Sequence, residues 1–165
     1  MWMTSRSCSR VGAVTLLLAA LAASAAAQFR GFQAASVEPT PAIELKPGEE
    51  TTVALRIRVR RGYHINSDTP SEDYMIPTQL RWESAPLEVQ SVEYPAGEFV
   101  QYEFSDKPLS VYSNTVVIKT RFKAPASLPK DLREIKGKLR YQACNDKMCL
   151  APTSLDAVVP LAPVG

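Results

Sequence analysis

Histidine occurs once and cysteine three times in the 165 residues, and neither suffices for a familiar metal site. The cysteines stand at positions 8, 144 and 149, a spacing that matches no zinc pattern. His64, the lone histidine, lies beside a turn and is expected to be a polar loop residue. Long apolar runs are lacking too. The longest, at 11–23, has thirteen small and apolar residues, short of the roughly 20 needed to cross a bilayer. No segment beyond residue 27 keeps a helical period, so a helical domain is not expected.

The short apolar run reads instead as an export signal. Arg6 and Arg10 precede it, and Ala25-Ala26-Ala27 supplies a small-residue cleavage pattern before Gln28. An uncleaved membrane anchor is the other reading, disfavoured by the length of the run. Cleavage would take residues 1–27, and Cys8 with them. Removing Arg6 and Arg10 lowers the 19 Lys and Arg to 17, against 17 Asp and Glu. A mature chain of zero net charge has no electrostatic footprint for nucleic acid. No second apolar stretch approaches membrane length, so an exported chain with no membrane insertion after cleavage is expected.

Residues 28–41 lack a period and end in Glu38-Pro39-Thr40-Pro41, which predicts a flexible leader. From 42 to 165 short strands alternate with turns. Val53, Leu55, Ile57 and Val59 alternate with Ala54, Arg56, Arg58 and Arg60, the period of a half-buried strand whose arginines face water. Further strands are expected at 43–46, 78–82, 87–94, 99–104, 109–112 and 155–161. Ile118, Thr120 and Phe122 share one face of another. Ile135, Gly137, Leu139, Tyr141 and Ala143 share one face of a long strand that runs into Cys144. Many short strands punctuated by thirteen prolines and seven glycines predict an all-β chain, an immunoglobulin-like antiparallel β-sandwich.

Cys144 and Cys149 bracket Asn145-Asp146, a turn signal, and Pro152 ends the segment. An even pair in an exported chain is expected to form a disulfide, with Cα atoms about 4.4–6.8 Å apart. Three uses of the pair remain open. As a staple it would close a loop of about six residues, worth roughly 2 kcal/mol in the chain-entropy model. As an exchange pair it already holds the second cysteine needed to resolve a mixed disulfide. With Met148 and His64, the two sulfurs could bind Cu(I). Lys147 would favour a thiolate and Asp146 oppose it, so no strongly activated thiol is expected.

The segment YQACNDKMCLAP, together with GYHINSDTPSEDYMIPTQL upstream, resembles the N-terminal periplasmic domain of the thiol:disulfide interchange protein DsbD. The resemblance runs from about residue 43 to 161. It implies an immunoglobulin-like fold, a periplasmic location and a thiol–disulfide relay, with Cys144 and Cys149 as the exchanging pair. No metal or other cofactor is expected, because the histidine is single and the ligand spacing unfamiliar. It implies two kinds of partner: a DsbD-type membrane electron donor and thioredoxin-like periplasmic proteins. Such domains shield their cysteines with a loop bearing an aromatic residue. Glu103-Phe104-Ser105-Asp106-Lys107 resembles that loop, which makes Phe104 the cap and Glu103 a proton-handling neighbour. An ordinary core position is the alternative for Phe104. The membrane and thioredoxin-like domains of the full transporter do not follow Gly165, so a stand-alone version is expected. A non-catalytic immunoglobulin-like adaptor with a structural disulfide is the competing reading.

Overall fold

The computed structural model describes residues 32–83 and 86–163. The expected signal, 1–27, lies outside the described residues, as does the start of the leader. A compact unit begins at Ala34.

Eleven strands follow in chain order: β1 (Ala35–Val37), β2 (Glu50–Val59), β3 (His64–Asn66), β4 (Gln79–Trp82), β5 (Glu88–Glu93), β6 (Glu98–Val100), β7 (Leu109–Tyr112), β8 (Thr115–Lys123), β9 (Glu134–Tyr141), β10 (Ala143–Cys144) and β11 (Thr153–Pro160). No helix occurs among the described residues. The strands form three antiparallel sheets, ordered β1-β2-β8-β5, β11-β9-β4 and β10-β3-β7-β6. The architecture is an immunoglobulin-like β-sandwich.

Period-two patterning explains which faces are buried. Val53, Leu55, Ile57 and Val59 of β2 lie in the core, as do Val116, Ile118, Thr120 and Phe122 of β8. On β9, Ile135, Leu139 and Tyr141 face the same core, which Leu155, Ala157 and Val159 of β11 complete. Trp82 bridges the first two sheets. Its Nε1 donates to Thr120 Oγ1 at 2.9 Å, and its ring meets Phe122 edge-on at 5.1 Å. Gly137 permits this. A Cβ there would come within 2.7 Å of the Trp82 ring and of the Arg81 carbonyl oxygen.

The stretch expected to be a leader contributes β1. Ala35 to Val37 pair with Val59 to Ile57, Ala34 and Ala35 are buried, and Glu38 forms ion pairs with Arg56 and Arg58. Three residues carry too little periodicity to be legible; the open edge of β2 makes the strand. Two of the arginines read as merely solvated therefore also anchor β1. At 43–46 only Ile43 pairs, through an isolated parallel bridge to Leu161. The strand expected at 99–104 stops at Val100, and the chain turns at 103–104.

The third sheet positions the cysteines. The long strand through 135–144 breaks at Gln142, where the chain leaves the β11-β9-β4 sheet to pair β10 with β3. Ala143 and Ile65 are register partners facing the main core, so Cys144 and its partner His64 face the other way. That outer face is covered. Leu109 and Val111 of β7 pack there with Met75, and Val100 and Tyr102 close over them. This is why all four residues of β7 and all three of β3 are buried.

Candidate functional site: a disulfide at the base of a hairpin

Cys144 and Cys149 form a disulfide. They also form an isolated antiparallel bridge. Asn145 N–H donates to the Met148 carbonyl at 2.9 Å, and Leu150 N–H donates to the Ala143 carbonyl at 2.8 Å. Those two bonds flank the cysteine pair, so it occupies a non-hydrogen-bonded position of the ladder, where opposing side chains come closest. The Cα atoms are 3.9 Å apart, nearer than the range expected from general disulfide geometry. The turn is held by Asn145, whose Oδ1 accepts from the N–H groups of Lys147 at 2.9 Å and Met148 at 2.8 Å. This is the side-chain mimicry of a backbone turn for which asparagine is suited.

The two cysteines are unequal. Cys144 is 1% exposed, whereas Cys149 is exposed, along with Asp146, Lys147 and Met148 at the tip. A second polar chain ties the hairpin exit to the loop that covers the sheet. Gln142 Nε2 donates to the Leu150 carbonyl at 3.2 Å. Asn66 Nδ2 donates to Gln142 Oε1 at 3.4 Å and to the Ile76 carbonyl at 2.9 Å. Thr78 Oγ1 donates to the Asn66 carbonyl at 2.6 Å.

His64 is not the loop residue expected. It opens β3, is 4% exposed, and stands directly opposite Cys144 in the register. Opposed antiparallel residues project to the same side with Cβ atoms about 4.5–5.5 Å apart. His64, Cys144 and Cys149 therefore form one row across three adjacent chain segments. Burial holds the His64 imidazole below the usual histidine range, so it is neutral near pH 7. Its Nε2 is buried and has no hydrogen-bond partner.

An aromatic stack leads from that row to the surface. The His64 ring stacks on Tyr102 at 4.3 Å, and Tyr102 stacks on Phe104 at 5.3 Å. Phe104 is 49% exposed, which rules out the ordinary core position considered for it. Burial, and after it the charge of Glu98, raises the Tyr102 phenol above its usual range. Glu103 is exposed at the turn beside Phe104. The sequence reading missed Tyr102 and the placement of His64. The available signal was the pair of aromatic residues Tyr102 and Phe104, two positions apart at the loop expected to cover the cysteines.

Together these features define a β-sandwich that carries a reachable disulfide on one covered sheet. The chain belongs to the family described as thiol:disulfide interchange protein DsbD, N-terminal, whose model matches residues 33–159. Among solved structures it is similar to the reduced DsbD N-terminal domain of Neisseria meningitidis. That likeness has 18% identity, covers 65% of this chain and 74% of the other, and gives a TM-score of 0.44. It is also similar to the N-terminal periplasmic domain of ScsB from Proteus mirabilis, at 14% identity, with 77% and 44% of the two chains covered and a TM-score of 0.51. The chain thus spans less than half of that ScsB domain. No curated protein matches the chain.

Proposed function

We propose that the protein is a periplasmic thiol–disulfide exchange relay that passes electrons through Cys144 and Cys149 to or from thioredoxin-like partners. A DsbD-type membrane protein is the donor in this reading. The observation that supports it most is the asymmetry of the disulfide, with one exposed and one buried cysteine at the base of a hairpin in a DsbD N-terminal family chain. An incoming donor thiolate attacks the Cys149 sulfur, the S–S bond breaks, and Cys144 leaves as a thiolate. A second donor thiolate then attacks the mixed disulfide, leaving this protein as the dithiol and the donor oxidised. Delivery to an oxidised partner runs the same steps in reverse.

In this proposal Phe104 is a partial gate: Cys149 is itself exposed, so the ring narrows the approach to the pair and swings aside for the right partner. Glu103 is the exposed proton-handling group beside it. Phe104→Ala should speed reduction of the disulfide by dithiothreitol two- to tenfold, the factor that corresponds to about 0.5–1.5 kcal/mol of aromatic stacking. Stopped-flow thiol assays check this, and an unchanged rate would remove the gate. Reduction by a thioredoxin-like protein tests the relay itself. A disulfide that resists every such reductant, and whose loss unfolds the protein, would instead make this an adaptor with a structural staple.

A further inference from the structure

We propose that His64 is the proton acceptor and donor for Cys144, and so sets the rate at which the buried sulfur resolves or leaves a mixed disulfide. The inference rests on the exchange chemistry proposed above and assigns a proton path within it.

The buried sulfur has a proton problem. When the dithiol form reduces a partner, exposed Cys149 attacks first and becomes joined to the partner sulfur. Cys144 must then lose its proton to attack Cys149. Burial disfavours the charged thiolate, and water has poor access to a residue that is 1% exposed. Asp146 and Lys147 at the hairpin tip, and Glu103 beside Phe104, all stand in solvent.

His64 is placed to serve as a base for this sulfur. It is the register partner of Cys144 on β3, so both side chains project to the same covered face. Its Nε2 is buried without a hydrogen-bond partner, an arrangement that costs stability unless a group arrives to use it. A neutral imidazole can take a proton at pH 7, and burial keeps this one neutral. The titratable groups on elements packed against β3 are Cys144 itself, Tyr112 on β7 and Tyr102 in the stack. Tyr112 OH lies within hydrogen-bond distance of both Asp68 Oδ1 and the Pro95 carbonyl oxygen, so its one proton is engaged elsewhere. Both phenols are held above their usual range and stay protonated.

The step balances. The Cys144 thiol gives its proton to His64 Nε2. The thiolate attacks Cys149 Sγ, the Cys144–Cys149 bond forms, and the partner leaves as a thiolate. The histidinium then returns its proton to solvent or to that leaving thiolate. In the opposite direction His64 takes the proton that the incoming partner thiol loses as it attacks Cys149, and gives it to Cys144 as that sulfur leaves.

The probe is 5,5′-dithiobis(2-nitrobenzoate), a small aromatic disulfide, mixed with the reduced full chain in a stopped-flow absorbance experiment. Attack by Cys149 releases one thionitrobenzoate, and resolution by Cys144 releases the second. In the wild type the second release should be nearly flat from pH 7 to 9. In His64→Phe, which keeps a ring on Tyr102, it should be at least about tenfold slower at pH 7 and climb roughly tenfold per pH unit, the signature of lost general-base catalysis. The first release should stay unchanged. His64→Gln, polar but not basic, should behave like the Phe variant and stands in for it if the ring substitution fails to fold. A second release that keeps the wild-type rate or pH profile in both variants, or a first release slowed as much as the second, would overturn the role of His64. Because no partner protein takes part, failure with thioredoxin-like reductants would sink the relay and leave this outcome readable.

Discussion

Which sulfur an incoming thiolate meets is decided by exposure, and here Cys149 is open while Cys144 is buried. Single-cysteine variants should separate them. In Cys144→Ala the remaining Cys149 should be alkylated by iodoacetamide at least about tenfold faster than Cys144 is in Cys149→Ala, since reactivity follows access and thiolate fraction. The same Cys144→Ala variant should accumulate a mixed disulfide with a thioredoxin-like partner on a non-reducing gel. His64 has a separate stability signature. Folded, its imidazole stays neutral because of burial, whereas unfolded it protonates near pH 6.5. The unfolded state therefore binds more protons below that pH, and stability falls as pH drops through about 6.5. His64→Phe should show a smaller loss of denaturant midpoint between pH 7.5 and 5.5 than the wild type.

At the scale of the element, the hairpin works because Asn145 organises its turn. The Asn145 carboxamide holds two backbone N–H groups, and the disulfide closes the ladder immediately behind it. The same bonds are expected to hold the sulfurs near each other in the dithiol form. Asn145→Ala should loosen the reduced hairpin and shift the equilibrium with glutathione toward the dithiol by about fivefold, corresponding to about 1 kcal/mol for a net hydrogen bond. Quantifying free thiols across a glutathione redox series checks this, and no shift would mean that the turn forms without the side chain. Turn residues such as Asn145-Asp146 were legible in the sequence because their chemistry is local. The break at Gln142 was not, since alternation from Ile135 to Ala143 continues unbroken while the strand changes sheets.

Across the whole molecule, stability comes from apolar packing between sheets rather than from the disulfide or from charge. Tyr141, Phe122, Leu55, Ile57, Ile118 and Leu139 are among the largest fully buried side chains, and all belong to the main core. Cys144 faces the other side of its sheet. The ion pairs, among them Lys138 with Asp156 and Lys136 with Glu134, lie at the surface, where such pairs contribute little. Reduction should therefore leave the sandwich folded by circular dichroism, with a loss of about 2 kcal/mol in denaturant unfolding, as expected for a loop of about six residues. A protein that unfolds when reduced would identify the bond as a staple.

The sequence by itself determined the strand faces, the class of fold and the paired cysteines. Alternation, turn residues and a short motif are written locally and survive without knowledge of the partner strand. Tertiary structure alone decided the rest. β1 exists because β2 offers it an edge. Phe104 belongs to a stack only because Tyr102 spans the gap to His64. His64 stands beside Cys144, 80 positions later in the chain, because β10 pairs with β3 in one register. A register shift of one residue would put that imidazole on the opposite face, and nothing in the local sequence around either residue encodes the pairing.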